Sequence, residues 1–334
     1  MTPKIRLDFV KNNDYSPAQI LPNNRLVRIR KSNGLCYSAR EWAMGTGIIK
    51  WFRNQKRRMF RNGHVLYFCH IPKTCGTTFD RMIRSRFTAE LAAPIAENHA
   101  YFTDPDLNLE QYDLISGHLF FGYHIPEMVS RPVRSVMLLR EPRALLLSMF
   151  KHGIQFDQDP VHHYIKNNCP TPEQFFKDPV MGPYVSNPMA RFLGISERAY
   201  SPAYVQHALA QPLETSKALL GTVPQSDVHQ TEVLKTALER LAEFHVVGLS
   251  ENLRTSVNLV ARMEGWPLFG EVPHYNESAN KLKVKDLSAE TIRAIDKLTE
   301  LDREVYRAGK DIFNQMVTRE RLDEESTVRL HSTP

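Results

Sequence analysis

From His64 onward the chain alternates short apolar runs with longer stretches of helical periodicity. "HVLYFCHI" (64–71) is an almost continuous series of aromatic and branched residues, which suits a strand buried on both faces of a sheet. "YDLISGH" (112–118), "RSVMLLREP" (134–142) and "FHVVGLSE" (244–251) are further apolar runs that stop at turn or charged residues. Between them the period lengthens. "TTFDRMIRSRF" (77–87) places Phe79, Ile83 and Phe87 four residues apart, and "TEVLKTALERLAEF" (231–244) puts Leu234, Leu238 and Leu241 on one face. "ENLRTSVNLVARM" (251–263) directly follows the fourth apolar run, and a helical pattern over 287–313 closes the fold, opened by Ser288 as a helix N-cap. Strands alternating with helices predict an α/β fold with a P-loop-like, doubly wound parallel sheet flanked by helices. One main domain is expected over 63–316, preceded by an extension over 1–62 and followed by a polar tail over 317–334.

Composition and charge sharpen this picture. Of 334 residues, 42% are hydrophobic and 10% aromatic, enough for a sizeable core. Residues 1–62 carry 14 Lys+Arg against 3 Asp+Glu, a net +11, whereas the remainder carries 29 against 34, a net −5. The basic extension ends in "KWFRNQKRRMFRN" (50–62), where cations interleave with Trp51, Phe52, Met59 and Phe60. That mixture suits peripheral contact with an anionic membrane or polyanion, or equally a lead-in helix packing its aromatic residues on the sheet. No recognised nucleic-acid-binding fold accompanies it, so no specific nucleic-acid partner is expected. The chain has no apolar run of about eighteen residues and no signal-like N-terminus, and its four cysteines lack a paired metal-type spacing. A cytoplasmic location with reduced thiols is therefore expected.

The chemistry begins after the first apolar run. "IPKTCGTTF" (71–79) resembles a phosphate loop in reverse order, with Lys73-Thr74 ahead of Gly76-Thr77-Thr78. A strand–loop–helix with small residues at its turn gathers backbone N–H groups and a helix N-terminus at one point, which is an anion site. Lys73 adds a point charge, and Thr74, Thr77 and Thr78 add hydroxyls. A tight turn whose lysine merely reaches solvent fits the loop equally well. In "LREPRALLLSMF" (139–150), Arg140 ends an apolar run and Ser148 follows eight residues later, on a helix that Glu141-Pro142 would start. An arginine at the carboxyl end of a parallel strand sits where such sheets bind ligands, and Arg140 with Ser148 could clamp a second phosphate. A helix-capping arginine and a surface serine is the plainer reading of that segment.

Taken together, the two segments resemble the sulfotransferases that use 3′-phosphoadenosine 5′-phosphosulfate (PAPS), in particular the carbohydrate branch related to heparan sulfate 2-O-sulfotransferases. The resemblance extends through "ISGHLFFGYH" (115–124), "NPMARFLG" (187–194) and "HYNESANK" (274–281), covering roughly 64–313. It implies that Lys73, Thr74, Cys75, Gly76, Thr77 and Thr78 hold the 5′-phosphosulfate and that Arg140 and Ser148 hold the 3′-phosphate. It also implies a cofactor-covering loop with Lys281 as a phosphate contact, and His118 as the base that activates an acceptor hydroxyl. Substrate-side roles for Asn187 and Arg191 follow from it too, although a capped helix with a packed arginine stem fits that segment as well.

Two positions depart from the family pattern. Cys75 replaces a small residue where positive φ would strain a side chain, and Leu145 replaces an arginine. The histidines at 152, 162 and 163 find no Cys or carboxylate completing a ligand set, so no metal is expected. The resulting expectation is O-sulfation of a carbohydrate or glycolipid acceptor by in-line displacement from PAPS. The competing expectations are an inactive nucleotide- or polyanion-binding protein of the same fold, and a P-loop kinase; the reversed Lys/Gly order and missing Mg²⁺-binding acid disfavour the kinase.

Overall fold

The computed structural model describes residues 29–30, 36–37, 63–93, 96–97, 108–118, 125–157, 159, 161–194, 227–273 and 282–322. The chain divides into two units, Met1–Arg61 and Asn62–Pro334. In the first, Ile29–Arg30 (β1) and Cys36–Tyr37 (β2) pair antiparallel. The basic stretch at 50–62 lies outside the described residues.

The second unit is built on a parallel sheet. Its strands are Val65–Cys69 (β3), Ala96–Glu97 (β4), Leu114–His118 (β5), Val133–Leu139 (β6) and Val246–Leu249 (β7), in the order β4-β5-β3-β6-β7. Every pairing is parallel, with Leu66 opposite Leu114 on one side and Arg134 on the other. The central strand β3 is buried along its whole length, which explains its unbroken apolar text. The strand-to-helix alternation seen in the sequence is thus the doubly wound α/β fold itself, with helices flanking the sheet.

The connecting helices start and stop where local chemistry dictates. Gly76–Arg84 (α1) follows β3 and buries Phe79 and Ile83, whereas Phe87 lies past its end against Trp266. After Ile125–Met128 (α2) and β6, the helix Pro142–Gln155 (α3) begins with Pro142 in its first turn. The Glu141 carboxylate accepts from the N–H groups of Arg143 and Ala144 at 3.2 and 2.8 Å. His162–Asn168 (α4), Pro172–Lys177 (α5), Met181–Val185 (α6) and Pro188–Gly194 (α7) follow, and Asp227–Glu243 (α8) leads into β7. Leu253–Glu264 (α9) ends at Gly265, whose φ of 68° supplies the left-handed C-cap.

The apolar interior has two parts. One surrounds the sheet and includes Leu145. The other is made by Leu146, Leu147 and Phe150 of α3 with Ile165, Phe175, Phe176 and Met181, so α3 leaves the sheet and seeds a smaller helical core. A bidentate Arg143–Asp296 pair, at 2.7 and 2.8 Å, ties α3 to the later helix Ala289–Leu298 (α10).

The closing helical pattern is two helices. Ser288 caps α10 by accepting from Thr291 N at 3.1 Å, and the chain breaks at buried Thr299 before Glu300–Arg319 (α11). The break comes from a reciprocal cap. Asn187 Oδ1 accepts from Leu301 N at 2.9 Å in the first turn of α11, and Asp302 Oδ1 accepts from Ala190 N at 2.7 Å in the first turn of α7. Helix α11 continues through Arg319, and Leu322 is buried against the main core. The folded unit therefore passes the expected boundary at 316, because an apolar residue six positions later still finds core to cover it. No helix among the described residues is long and apolar enough to cross a membrane.

The reciprocal cap generates a pH test. Complete burial raises the Asp302 carboxyl from 3.8 to about 7, against the lowering effect of the N–H groups of Ala190 and Met189, and Oδ2 has no partner among the described residues. The folded state holds this proton more tightly than the unfolded chain does. Its contribution to stability is therefore full below pH 4 and is lost as pH rises through about 7. Asp302→Asn keeps an acceptor for the helix N–H and removes the titration. Thermal unfolding between pH 5 and 8.5 is expected to show a decline with pH in the wild type, up to about 1.4 kcal/mol per pH unit, that flattens in the variant. Parallel profiles would overturn this role for Asp302.

Candidate active site

The loop after β3 forms a left-handed double turn. Lys73 has φ 68° and Cys75 φ 63°, with Thr74 between them outside the positive-φ set. Alternating the sign of φ in this way turns successive N–H groups toward one concavity, a backbone nest suited to an anion. The side chains lock the turn. Thr74 Oγ1 donates to Ile71 O at 2.8 Å, so its hydroxyl proton is committed to the turn and Thr74 offers an anion its backbone N–H. Arg140 Nη1 donates to Lys73 O at 2.8 Å, and Ser250 Oγ lies 2.7 Å from Thr74 O and 3.0 Å from Leu139 O, sharing its one proton. The loop's carbonyls are thereby held by protein donors.

Helix α1 starts directly from this turn. Its N-cap residue, Cys75, makes no side-chain capping bond, and its first turn contains no acidic residue, so the positive end of the helix dipole is left for a ligand. Gly76 is required by packing: a Cβ there would come within 1.9 Å of His70 Nε2, on an imidazole stacked against Phe68 at 5.2 Å. Thr77 is exposed on the first turn and Thr78 is buried. Cys75 itself is exposed, so its side chain has room and the strain expected from the sequence is confined to the backbone. A non-glycine left-handed residue costs about 1–2 kcal/mol.

Four cations act on one another in a chain that starts at the loop: Lys73, Arg140, Lys151 and Lys283. Lys73 is held below its ordinary pKa by burial and by the Arg140 guanidinium, with Asp159 and Cys75 acting in the opposite sense. Lys151, one turn beyond Ser148 on α3, is lowered by burial, by Arg140 and by Lys283, with Asp286 opposing. Among the described residues, no carboxylate lies within ion-pair distance of Lys73, Arg140, Lys151 or Lys283. Partly buried cations that repel one another without a direct counter-ion are relieved by binding an anion. Arg140 couples the two halves: it touches the loop and acts electrostatically on Lys151. A ligand carrying two separated anionic groups fits this arrangement, one at the nest and one toward Ser148 and Lys151.

The other expected residues sort differently. His118 is the last residue of β5, paired with Glu97 at the carboxyl edge of the sheet where β3 and β6 also end. Lys281 lies outside the described residues, and nearby Lys283 is the cation that reaches Lys151. Leu145 is fully buried, and the apolar residue there is part of the main core. Asn187 spends its carboxamide oxygen on α11, and Arg191 Nη1 donates to Tyr184 O and Ser186 O, both at 3.2 Å. The capped helix with a packed arginine is the arrangement present. His162 Nδ1 bonds Gly153 O at 2.9 Å, which gives that histidine a packing role.

Sequence reasoning missed Lys151, Ser250 and Asp159. Lys151 was findable, since it lies three residues after Ser148 on the same helix face. Ser250 ends the apolar run of β7 as Arg140 ends that of β6, an equivalence that signals the same sheet edge. Asp159 sits between α3 and α4, and only tertiary packing brings it to Lys73.

A family profile described as a sulfotransferase family matches residues 57–307. No curated protein matches the chain significantly. The matched span covers the reversed loop, the cation cluster and the helices that carry them, more than half of the chain, and the protein belongs to the sulfotransferase family.

Proposed function

We propose that the protein moves the sulfuryl group of PAPS to a hydroxyl of a carbohydrate or glycolipid acceptor by in-line displacement. Sulfuryl transfer is the chemistry of the family; the donor and acceptor are this reading's own. The observation that carries it is the pairing of a backbone nest at 73–75 with a second group of cations bridged by Arg140, which suits a bisphosphate-like donor.

Bound PAPS would supply an electrophilic sulfur and a phosphate leaving group. The protein's part is positioning and electrostatics. Lys73 and the loop N–H groups would stabilise charge growing on the bridging oxygen, and Arg140, Ser148 and Lys151 would hold the 3′-phosphate. Lys283, which acts on Lys151, adds to the field there, and Lys281 is proposed as a further phosphate contact. His118, at the ligand edge of β5, is proposed as the base that takes the hydroxyl proton. The basic stretch 50–62 is proposed to hold the enzyme near an anionic membrane or polyanion.

Three measurements test this reading. Lys73→Ala is expected to lower turnover by roughly 10²–10³, the usual loss on deleting one transition-state anion donor. Turnover near wild type would remove the loop from the chemistry. Arg140→Ala, Ser148→Ala and Lys151→Ala are expected to weaken 3′-phosphoadenosine 5′-phosphate more than adenosine 5′-phosphate in calorimetry, by about ten- to hundredfold for the arginine. Equal losses on both nucleotides would mean that none of the three reads the 3′-phosphate. His118→Ala is expected to bind nucleotide normally and lose about 10²–10⁴ in turnover. Retained turnover would place the base elsewhere.

A further inference from the structure

Beside the cation cluster lies a corner that the donor does not use. Helix α3 is C-capped by Phe156, a residue 54% exposed whose ring lies 4.4 Å from the His152 ring, tilted by 41°. Three residues later, Asp159 is fixed by accepting from Val161 N at 2.9 Å, and its Oδ2 stands 3.7 Å from His152 Nε2. Asp159 is the carboxylate that acts on Lys73, and it also acts on the buried hydroxyl of Tyr184. The corner is therefore within electrostatic reach of the lysine assigned to sulfuryl transfer.

We propose that His152, Phe156 and Asp159 form the acceptor subsite, and that the subsite takes an uncharged pyranose ring. The proposal rests on the sulfotransferase reading above and adds which kind of acceptor is chosen and which residues choose it. Three features point the same way. A lone exposed aromatic residue is ordinary on a protein surface. Here the ring is backed by an imidazole and flanked by a fixed carboxylate, which gives a flat apolar platform with hydrogen-bonding groups at its edge. Such a platform matches the C–H face of a sugar, with its hydroxyls directed to Asp159 and His152. An acceptor bearing a carboxylate would meet Asp159 as a like charge. The subsite thus separates the two anionic demands of the reaction: the donor's charges go to Lys73, Arg140 and Lys151, and the acceptor arrives neutral.

The test uses the full chain saturated with 3′-phosphoadenosine 5′-phosphate on an array of neutral and uronate-bearing glycans. Capture of neutral pyranosides over uronate-bearing glycans is expected. Phe156→Ala should weaken it about tenfold, the worth of one aromatic contact, with calorimetric nucleotide affinity unchanged. Asp159→Asn should narrow the preference for neutral over uronate-bearing glycans. Preferential capture of uronate-bearing glycans, or neutral capture indifferent to Phe156→Ala and Asp159→Asn, overturns the subsite. Failure of the wild type to bind the nucleotide in calorimetry would instead overturn the donor reading, so the two failures are separable. His152→Gln serves as a second probe if Asp159→Asn unfolds, and weaker neutral capture with intact nucleotide affinity is expected of it; unchanged capture counts against the subsite.

Discussion

A backbone that binds an anion must present N–H groups while its carbonyls are turned elsewhere, and this constraint organises the second unit. In the loop after β3 the carbonyls of Lys73 and Thr74 are held by Arg140 and Ser250. Those two donors stand at the ends of β6 and β7, the next strands across the sheet. The loop therefore depends on three neighbouring strands ending at one edge, which a parallel sheet provides without further device. The left-handed conformations of Lys73 and Cys75 cost about 1–2 kcal/mol each. One charge-assisted hydrogen bond, at about 1.5–3 kcal/mol, together with the Thr74 and Ser250 bonds at about 0.5–1.5 kcal/mol each, is of the same size. The turn is thus held by its neighbours, which explains how a cysteine can stand where glycine would be easier.

The same arrangement explains the electrostatics. Turning the Arg140 guanidinium toward the loop brings it near Lys73 and Lys151, and burial strips water from both lysines. Among the described residues this repulsion is not cancelled by an ion pair, because Asp159 and Asp286, the carboxylates that act on these lysines, do so from beyond ion-pair distance. A carboxylate closer in would neutralise these cations and, on the proposed reading, compete with the donor's anionic groups. Elsewhere in the fold, where no ligand is needed, cations are paired directly, as in Arg143–Asp296 and Arg131–Asp113.

How far the sequence could be read follows from the range of each interaction. β3 was legible because both of its faces are buried, and the start of α3 because Glu141-Pro142 acts within one turn. Lys73, Arg140 and Ser148 stand out in the sequence as residue types at fixed offsets from strand ends, and the structure places Lys73 in the loop after β3, Arg140 at the end of β6 and Ser148 on α3. The break at Thr299 was not, because its cause is Asn187, more than a hundred residues earlier. The residue that looked like a substrate contact is the one that stops a helix: Asn187 has no local partner in the sequence that would reveal the reciprocal cap with Asp302. The second core was hidden for a related reason. Leu145, Leu146 and Leu147 read as one apolar run, and only packing shows that the first belongs to the sheet and the next two to the helices beyond it.

That division of α3 has a consequence for the site. A helix confined to the sheet's core would carry Ser148 and Lys151 down its flank. The faces of α3 divide between the two cores, Leu145 toward the sheet and Leu146, Leu147 and Phe150 toward the helices, and the same helix carries Ser148, Lys151 and His152, with Phe156 at its C-cap. On the proposed reading one helix supplies groups for donor and acceptor in sequence order, with Arg143 in its first turn paired to Asp296. Displacing that pin would move both sets of groups together. Within α3 the rise of about 1.5 Å per residue fixes the spacing of Ser148, Lys151 and His152, whatever the loops around it do.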